Sequence, residues 1–244
     1  MQASVNTAVF LTALQTGTSQ FTCLKTLIDQ PIANVEVRGE FFSAATRERE
    51  LFMIDTLCKA QGWGLYFSIP EQLFTAGKLN DHLADYLALA SRHHIGGLKI
   101  SLGDPTGVSA ATYAHLQALV ATYPGQLTVE NQPNVDGQMP AFAERLRTVL
   151  KAVPALGYTF DAGNWYWVAS RPEEAFAALQ DVITVFHLKD IRNQETVMLG
   201  TGQTDWQALV SALAPEIPVF IEYAIAPEAF ATQLALVNTA LAAG

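Results

Sequence analysis

The stretch YTFDAGNW at 158–165 ends an apolar, β-forming run on a carboxylate, Asp161, and follows it with Ala162 and Gly163, which cannot cover it. Desolvating a carboxylate is costly unless something meets its charge. The same arrangement recurs along the chain. Glu130 alternates with Leu127 and Val129, His187 lies between Phe186 and Leu188, and Glu222 alternates with Val219, Ile221 and Tyr223. Successive side chains of a strand point to opposite faces, so all four polar groups share a face that their apolar neighbours leave. Singly, each has an ordinary explanation, as a helix cap, a surface charge or a hydrogen-bonded core imidazole. Together, three carboxylates and one imidazole on one axis repel strongly, and like charges so placed push one another's pKa upward. A divalent cation removes that cost. Oxygen-rich ligation with one imidazole suits Mn²⁺, Mg²⁺ or Co²⁺ and admits Zn²⁺. Glu130, Asp161, His187 and Glu222 are therefore read as metal ligands.

The elements that must carry these residues follow from the alternation of short β-like runs with longer amphipathic ones. Strands are predicted at 4–10, 33–39, 64–69, 96–102, 126–132, 156–162, 183–189 and 218–224, and helices at 47–61, 81–94, 111–123, 141–153, 172–182 and 227–243. Pro172 and Pro227 suit the first turn of the helices that they open. Eight strand–helix units without an internal linker predict one α/β domain over 1–244, a (β/α)8 TIM barrel. A doubly wound open sheet lacks support, because no Gly-rich first βα turn is present. In a parallel barrel the apolar face of each strand meets the helices and the other meets the lumen. Glu36, Arg38, Lys99 and Lys189 join the four candidate ligands on that lumen face, most of them near strand C-termini, the end where barrel enzymes build their sites. Either lysine can hold oxyanion or substrate charge, and either equally suits a lumen ion pair with Glu36 or Asp190. Asp136, six residues past Glu130, is read as a solvated loop residue ahead of a substrate contact, and Trp165, Tyr166 and Trp167 as a wall for a sugar ring or a subunit contact.

Composition narrows the partners. The 244 residues are half hydrophobic and 15% charged, with a formal net charge of −9 and no basic stripe, which argues against nucleic acid. Cys23 and Cys58 are isolated, without CxxC spacing. No apolar run approaches the roughly 18 residues of a membrane span, and the first residues lack a charged segment before their apolar stretch. The expectation is a soluble cytoplasmic protein that acts on a small molecule, with a homo-oligomer left open.

The motifs VEVRGEF (35–41), VEN (129–131), FDAGN (160–164), FHLKD (186–190), LGTGQTDW (199–206) and FIEYA (220–224) resemble those of the sugar phosphate isomerase/epimerase family, the xylose isomerase-like TIM barrels, over nearly the whole chain. The resemblance implies that Glu130, Asp161, His187 and Glu222 take the places of the family's metal ligands. It also implies that Glu130 and Glu222 act as an acid/base pair on opposite faces of a ketose, through an enediolate. Glu36, Arg38, Lys99, Asn164, Lys189 and Arg192 then stand as substrate-binding candidates. Family members commonly carry His where this chain has Asn164, which can exchange hydrogen bonds but cannot carry a proton near neutral pH. Arg192 lies near the spacing of an arginine that follows the strand-seven histidine in several epimerases. Alternatives are a metal-dependent inosose or keto-acid dehydratase, a non-catalytic sugar-binding relative and a Schiff-base aldolase using Lys99. The endonuclease IV-like barrels need many histidines. Here His82, His93, His94 and His115 fall in helical or strand-preceding segments, which excludes that reading.

Overall fold

The computed structural model describes residues 1–243. Eight parallel strands close a barrel: β1 (Ser4–Asn6), β2 (Asn34–Arg38), β3 (Gly64–Thr75), β4 (Gly97–Gly103), β5 (Gln126–Glu130), β6 (Gly157–Asp161), β7 (Val185–Leu188) and β8 (Val219–Ile221). Each pairs with its sequence neighbour, and β1 pairs with β8, so no strand edge is left open. Around them run α1 (Gln20–Leu24), α2 (Arg47–Gln61), α3 (Leu83–Arg92), α4 (Ala110–Ala121), α5 (Ala141–Ala152), α6 (Pro172–Leu179), α7 (Trp206–Ser211) and α8 (Pro227–Ala243). The (β/α)8 barrel expected from the sequence is the one observed.

Three strands end three or more residues away from expectation. β1 stops at Asn6 instead of continuing to 10, because the Asn6 side chain accepts from the Ala8 amide and turns residues 7–10 into a 3-10 helix. β3 runs on to Thr75 past Pro70, with a register shift between Ser68 and Gln72, and folds back on Lys78–Leu79 as a hairpin. β8 ends at Ile221, leaving Glu222 one residue beyond the last ladder pair. The short helices α1 and α7 were not predicted. α7 begins where Asp205 accepts from the Ala208 amide.

The interior divides as the alternation requires. Outside the barrel wall, Phe160 packs on Trp165, Phe176 and Phe186 with ring centroids 5.4–5.8 Å apart. Inside it, Tyr66 meets Phe220 edge to face at 4.9 Å, and the Thr128 and Thr159 hydroxyls bond at 2.7 Å. These groups fill the lumen towards the strand N-termini. The polar cluster occupies the rest.

Candidate metal centre

Register and pleat bring the four predicted ligands together. Glu130 is the last residue of β5, Asp161 the last of β6 and opposite His187 of β7, and Glu222 follows β8. One ligand atom from each of Glu130, Asp161, His187 and Glu222 lies within 4.8 Å of the others, and all four side chains are buried.

Their partners were only partly legible. Lys99 Nζ donates to Glu130 Oε2 at 2.8 Å. Lys189 Nζ donates to Asp161 Oδ2 at 2.6 Å and lies 3.0 Å from Glu222 Oε2. Arg38 Nη1 donates to Glu222 Oε1 at 3.1 Å, while its Nε donates to Glu40 at 2.7 Å. Neither lysine pairs with Glu36 or Asp190, the partners the sequence suggested, because both reach the carboxylates at the barrel mouth. The repulsion from which a cation was inferred is therefore largely offset by three side-chain cations.

What fits an ion is the donor set and what it leaves unpaired. Glu130 Oε1 and His187 Nε2 are buried with no hydrogen-bond partner. His187 Nδ1 lies 2.8 Å from Glu222 Oε2 and 3.2 Å from Glu130 Oε1, so one ring nitrogen faces oxygens of two candidate ligands. Three carboxylates and an imidazole match a hard or borderline divalent cation. The residues present fit such an ion.

Charge and burial set the protonation states. Burial pushes the Glu222 carboxyl up, but Lys189, His187 and Lys99 outweigh it and hold the group well below the usual carboxylate range. Glu130 is likewise raised by burial and brought below its ordinary value by Lys99 and His187. Asp161 is pushed up by burial and by Glu222 and Glu130, against the pull of Lys189. Burial lowers His187, yet Glu222 and Glu36 raise it well above an ordinary imidazole.

Two asparagines that sequence reasoning assigned no role hold this geometry. Asn131, next after Glu130, accepts through Oδ1 from the Asp161 amide (2.9 Å) and the Tyr158 hydroxyl (3.0 Å), and its Nδ2 donates to the Asp161 carbonyl at 3.0 Å. Asn6 donates to Glu36 Oε1 at 2.5 Å. The motif VEN is the only signal that pointed at Asn131. Nothing in the sequence marked Asn6. Asp161 Oδ1 also accepts from the Gly163 and Asn164 amides, at 2.8 and 3.0 Å.

The remaining candidates separate by place. Arg38, Lys99 and Lys189 join the cluster. Asn164 stands beside it, with its Nδ2 committed to the Asn131 carbonyl at 2.8 Å. Glu36 is 1% exposed and faces His187 Nε2 at 3.4 Å. Arg192 is exposed on the hairpin of 190–192 and 195–197, and no hydrogen bond or ion pair among the described residues joins it to the cluster. Trp165 is fully buried in the aromatic layer, whereas Trp167 is 42% exposed. A cavity of about 770 Å³ opens between strand N-termini at the opposite end, lined by Tyr66, Gln126, Thr184 and Ile217 among others. Conservation at that face of a barrel reads as stability, whereas barrel enzymes build their sites at the other end.

Comparison with solved structures gives the same architecture. A D-tagatose 3-epimerase-like protein aligns over 100% of this chain and 98% of its own, with a TM-score of 0.73 and 16% identity. A probable 3-DHS dehydratase, AsbF, involved in petrobactin synthesis in Bacillus anthracis, aligns over 97% of this chain and 98% of its own, with a TM-score of 0.70 and 15% identity. The IolI protein, solved with a bound zinc atom, aligns over 98% and 96%, with a TM-score of 0.69 and 15% identity. Others are described as xylose isomerase domain proteins. The fold is that of the xylose isomerase-like TIM barrels. No protein-family model and no curated protein matches the sequence. No helix among the described residues is long and apolar enough to cross a membrane.

Proposed function

We propose that this xylose isomerase-like barrel is a divalent-metal-dependent isomerase or epimerase of a ketose or related sugar, free or phosphorylated, working through an enediolate. The observation that carries the reading is the convergence of Glu130, Asp161, His187 and Glu222 within 4.8 Å at the C-terminal mouth. These four residues would hold the ion, with Mn²⁺, Mg²⁺ or Co²⁺ favoured and Zn²⁺ allowed by the donors. When bound, such an ion supplies Lewis-acid polarisation of a carbonyl oxygen. The chain's own residues supply the proton traffic. Glu222, held ionised by Lys189 and His187, is ready to take a proton from the carbon beside the carbonyl. Glu130 stands on β5, with the Lys99 ammonium hydrogen-bonded to its far oxygen, and delivers a proton that it first takes from solvent water, while Glu222 releases its own to solvent to close the cycle. Return to the same carbon from the opposite face inverts it; return to the neighbouring carbon exchanges aldose and ketose. Arg38 and Lys189 line the mouth and hold substrate oxygens, Asn164 orients the loop beside Asp161, and the site takes its substrate from solution without nucleic acid or membrane.

A dehydratase is the second reading, and Lys189 favours it. Asp161 and Glu222 outweigh burial and hold its ammonium above the ordinary lysine range, so it would meet the charge on a departing oxygen as a fixed cation and hydrogen-bond donor. One experiment separates the two. Purified protein is analysed for metal and then incubated in D₂O with a panel of ketoses and inososes. The proposal expects bound divalent metal and deuterium incorporation without loss of water, abolished by chelation and by Glu222→Gln in a folded variant. Loss of water from a substrate identifies the dehydratase, and chelator-resistant exchange rejects the metal-dependent mechanism.

A further inference from the structure

Glu36 lies in the middle of β2, fully buried on the lumen face. Four carboxylates share the lumen, and three of them have a lysine or arginine within ion-pair distance: Glu130 has Lys99, Asp161 has Lys189, and Glu222 has Lys189 and Arg38. Glu36 has none among the described residues. Its nearest positive group is the His187 ring, with Nε2 3.4 Å from Oε1. Both His187 Nε2 and Glu36 Oε2 are buried without a hydrogen-bond partner. Burying a carboxylate with no lysine or arginine beside it is costly.

The ring has two edges with different neighbours. Nδ1 faces Glu222 and Glu130, among the candidate ligand oxygens, and Nε2 faces Glu36. Neutral imidazole ligates through one nitrogen only while the other carries the proton, and a carboxylate accepting that proton fixes both tautomer and ring angle. Glu36 is itself fixed: Asn6 Nδ2 donates to its Oε1 at 2.5 Å, and Asn6 Oδ1 is held by the Ala8 amide at 2.8 Å.

We infer that Glu36 is a positioning residue for the cation site, one that keeps the proton of His187 on Nε2 and thereby presents Nδ1 to the ion, with Asn6 as its anchor. This rests on the metal reading above and removes Glu36 from the substrate-binding residues, since it stands behind the ring. The probe is Zn²⁺. Wild-type and Glu36→Gln proteins, stripped of metal, are titrated with Zn²⁺ against a chromophoric chelator, and long-range ¹⁵N NMR of the Zn²⁺-loaded wild type assigns the two nitrogens of His187. The expected result is metallation at Nδ1 with a protonated Nε2, and Zn²⁺ affinity about 10–100-fold weaker in Glu36→Gln, with an unchanged circular dichroism spectrum. A merely structural role lowers melting temperature but leaves affinity and the metallated nitrogen as they were. Metallation at Nε2, or wild-type affinity in Glu36→Gln, overturns the inference while the metal reading stands. Failure of the wild type to take up Zn²⁺ overturns both. Should Glu36→Gln not fold, the nitrogen assignment in the wild type decides.

Discussion

Lys189 shows how one side chain can work for and against a cation site. Its ammonium touches Asp161 Oδ2 and Glu222 Oε2, two of the four candidate ligands, and so supplies positive charge where an ion would supply it. In the metal-free protein it spares two buried carboxylates from facing each other unpaired. Against an incoming cation the same charge is a competitor. Lys189→Met should therefore move two quantities in opposite directions. Removing one partner of a buried pair leaves an uncompensated charge, so metal-free stability should fall by about 3–5 kcal/mol in urea unfolding. Divalent-metal affinity, measured by competition titration, should rise at least about tenfold, one tenfold step being about 1.4 kcal/mol. Weaker metal binding in the variant would mean that Lys189 supports the ion instead of rivalling it. The candidate ligands were legible because charged residues in an apolar alternation stand out. Their partners were not, since which lysine meets which carboxylate depends on side-chain reach across the lumen. Asn6 and Asn131 carry no charge to betray them.

At the scale of elements, the barrel was legible because a period of two and a period near 3.6 alternate along the chain. What escaped were elements fixed by single polar contacts: the end of β1 at Asn6, and α7 behind the loop LGTGQTDW. That loop wraps a buried carboxylate. Asp190 accepts from the amides of Gly200 (3.0 Å), Gly202 (2.8 Å) and Thr204 (3.1 Å), and a Cβ at Gly202 would fall 2.0 Å from Asp190 Oδ1. The motif is thus a structural clasp at the end of β7, which explains its spacing without substrate. A second glycine shapes the lumen. At Gly97 of β4 a Cβ would sit 2.1 Å from Tyr66 Cδ1, so the Tyr66 ring fills the barrel because β4 has no side chain there. Gly97→Ala should destabilise the protein by about 1–3 kcal/mol through overpacking, measured by urea unfolding. Adding Tyr66→Leu should recover part of that loss. Strict additivity of the two changes would show that the ring is not what the new methyl meets.

Over the whole molecule, the chain has a net charge of −9, yet it places Arg38, Lys99 and Lys189 around the lumen carboxylates. Stability of the metal-free protein then depends on pH in a direction that can be worked out. Glu222 has a folded pKa below its ordinary value of 4.5, so its contribution is complete above that value and is lost as pH falls through the folded pKa. His187 has a folded pKa well above 6.5, so its contribution is complete below that value and is lost as pH rises through the folded pKa. These two groups together make metal-free stability greatest between about pH 4.5 and 6.5, and Asp161, whose carboxyl is pushed up, works against them as pH rises from 3.8 through its folded pKa. Metal uptake runs the other way on the alkaline side, because Nδ1 must lose its proton to ligate. The rise in melting temperature on adding Zn²⁺ should accordingly widen from pH 6 towards pH 8 and shrink below it. Calorimetry in two buffers of different ionisation enthalpy should find about one proton released per ion near pH 6. A thermal shift independent of pH, with no proton released, would take His187 out of the ligand set and leave only the three carboxylates to hold the ion.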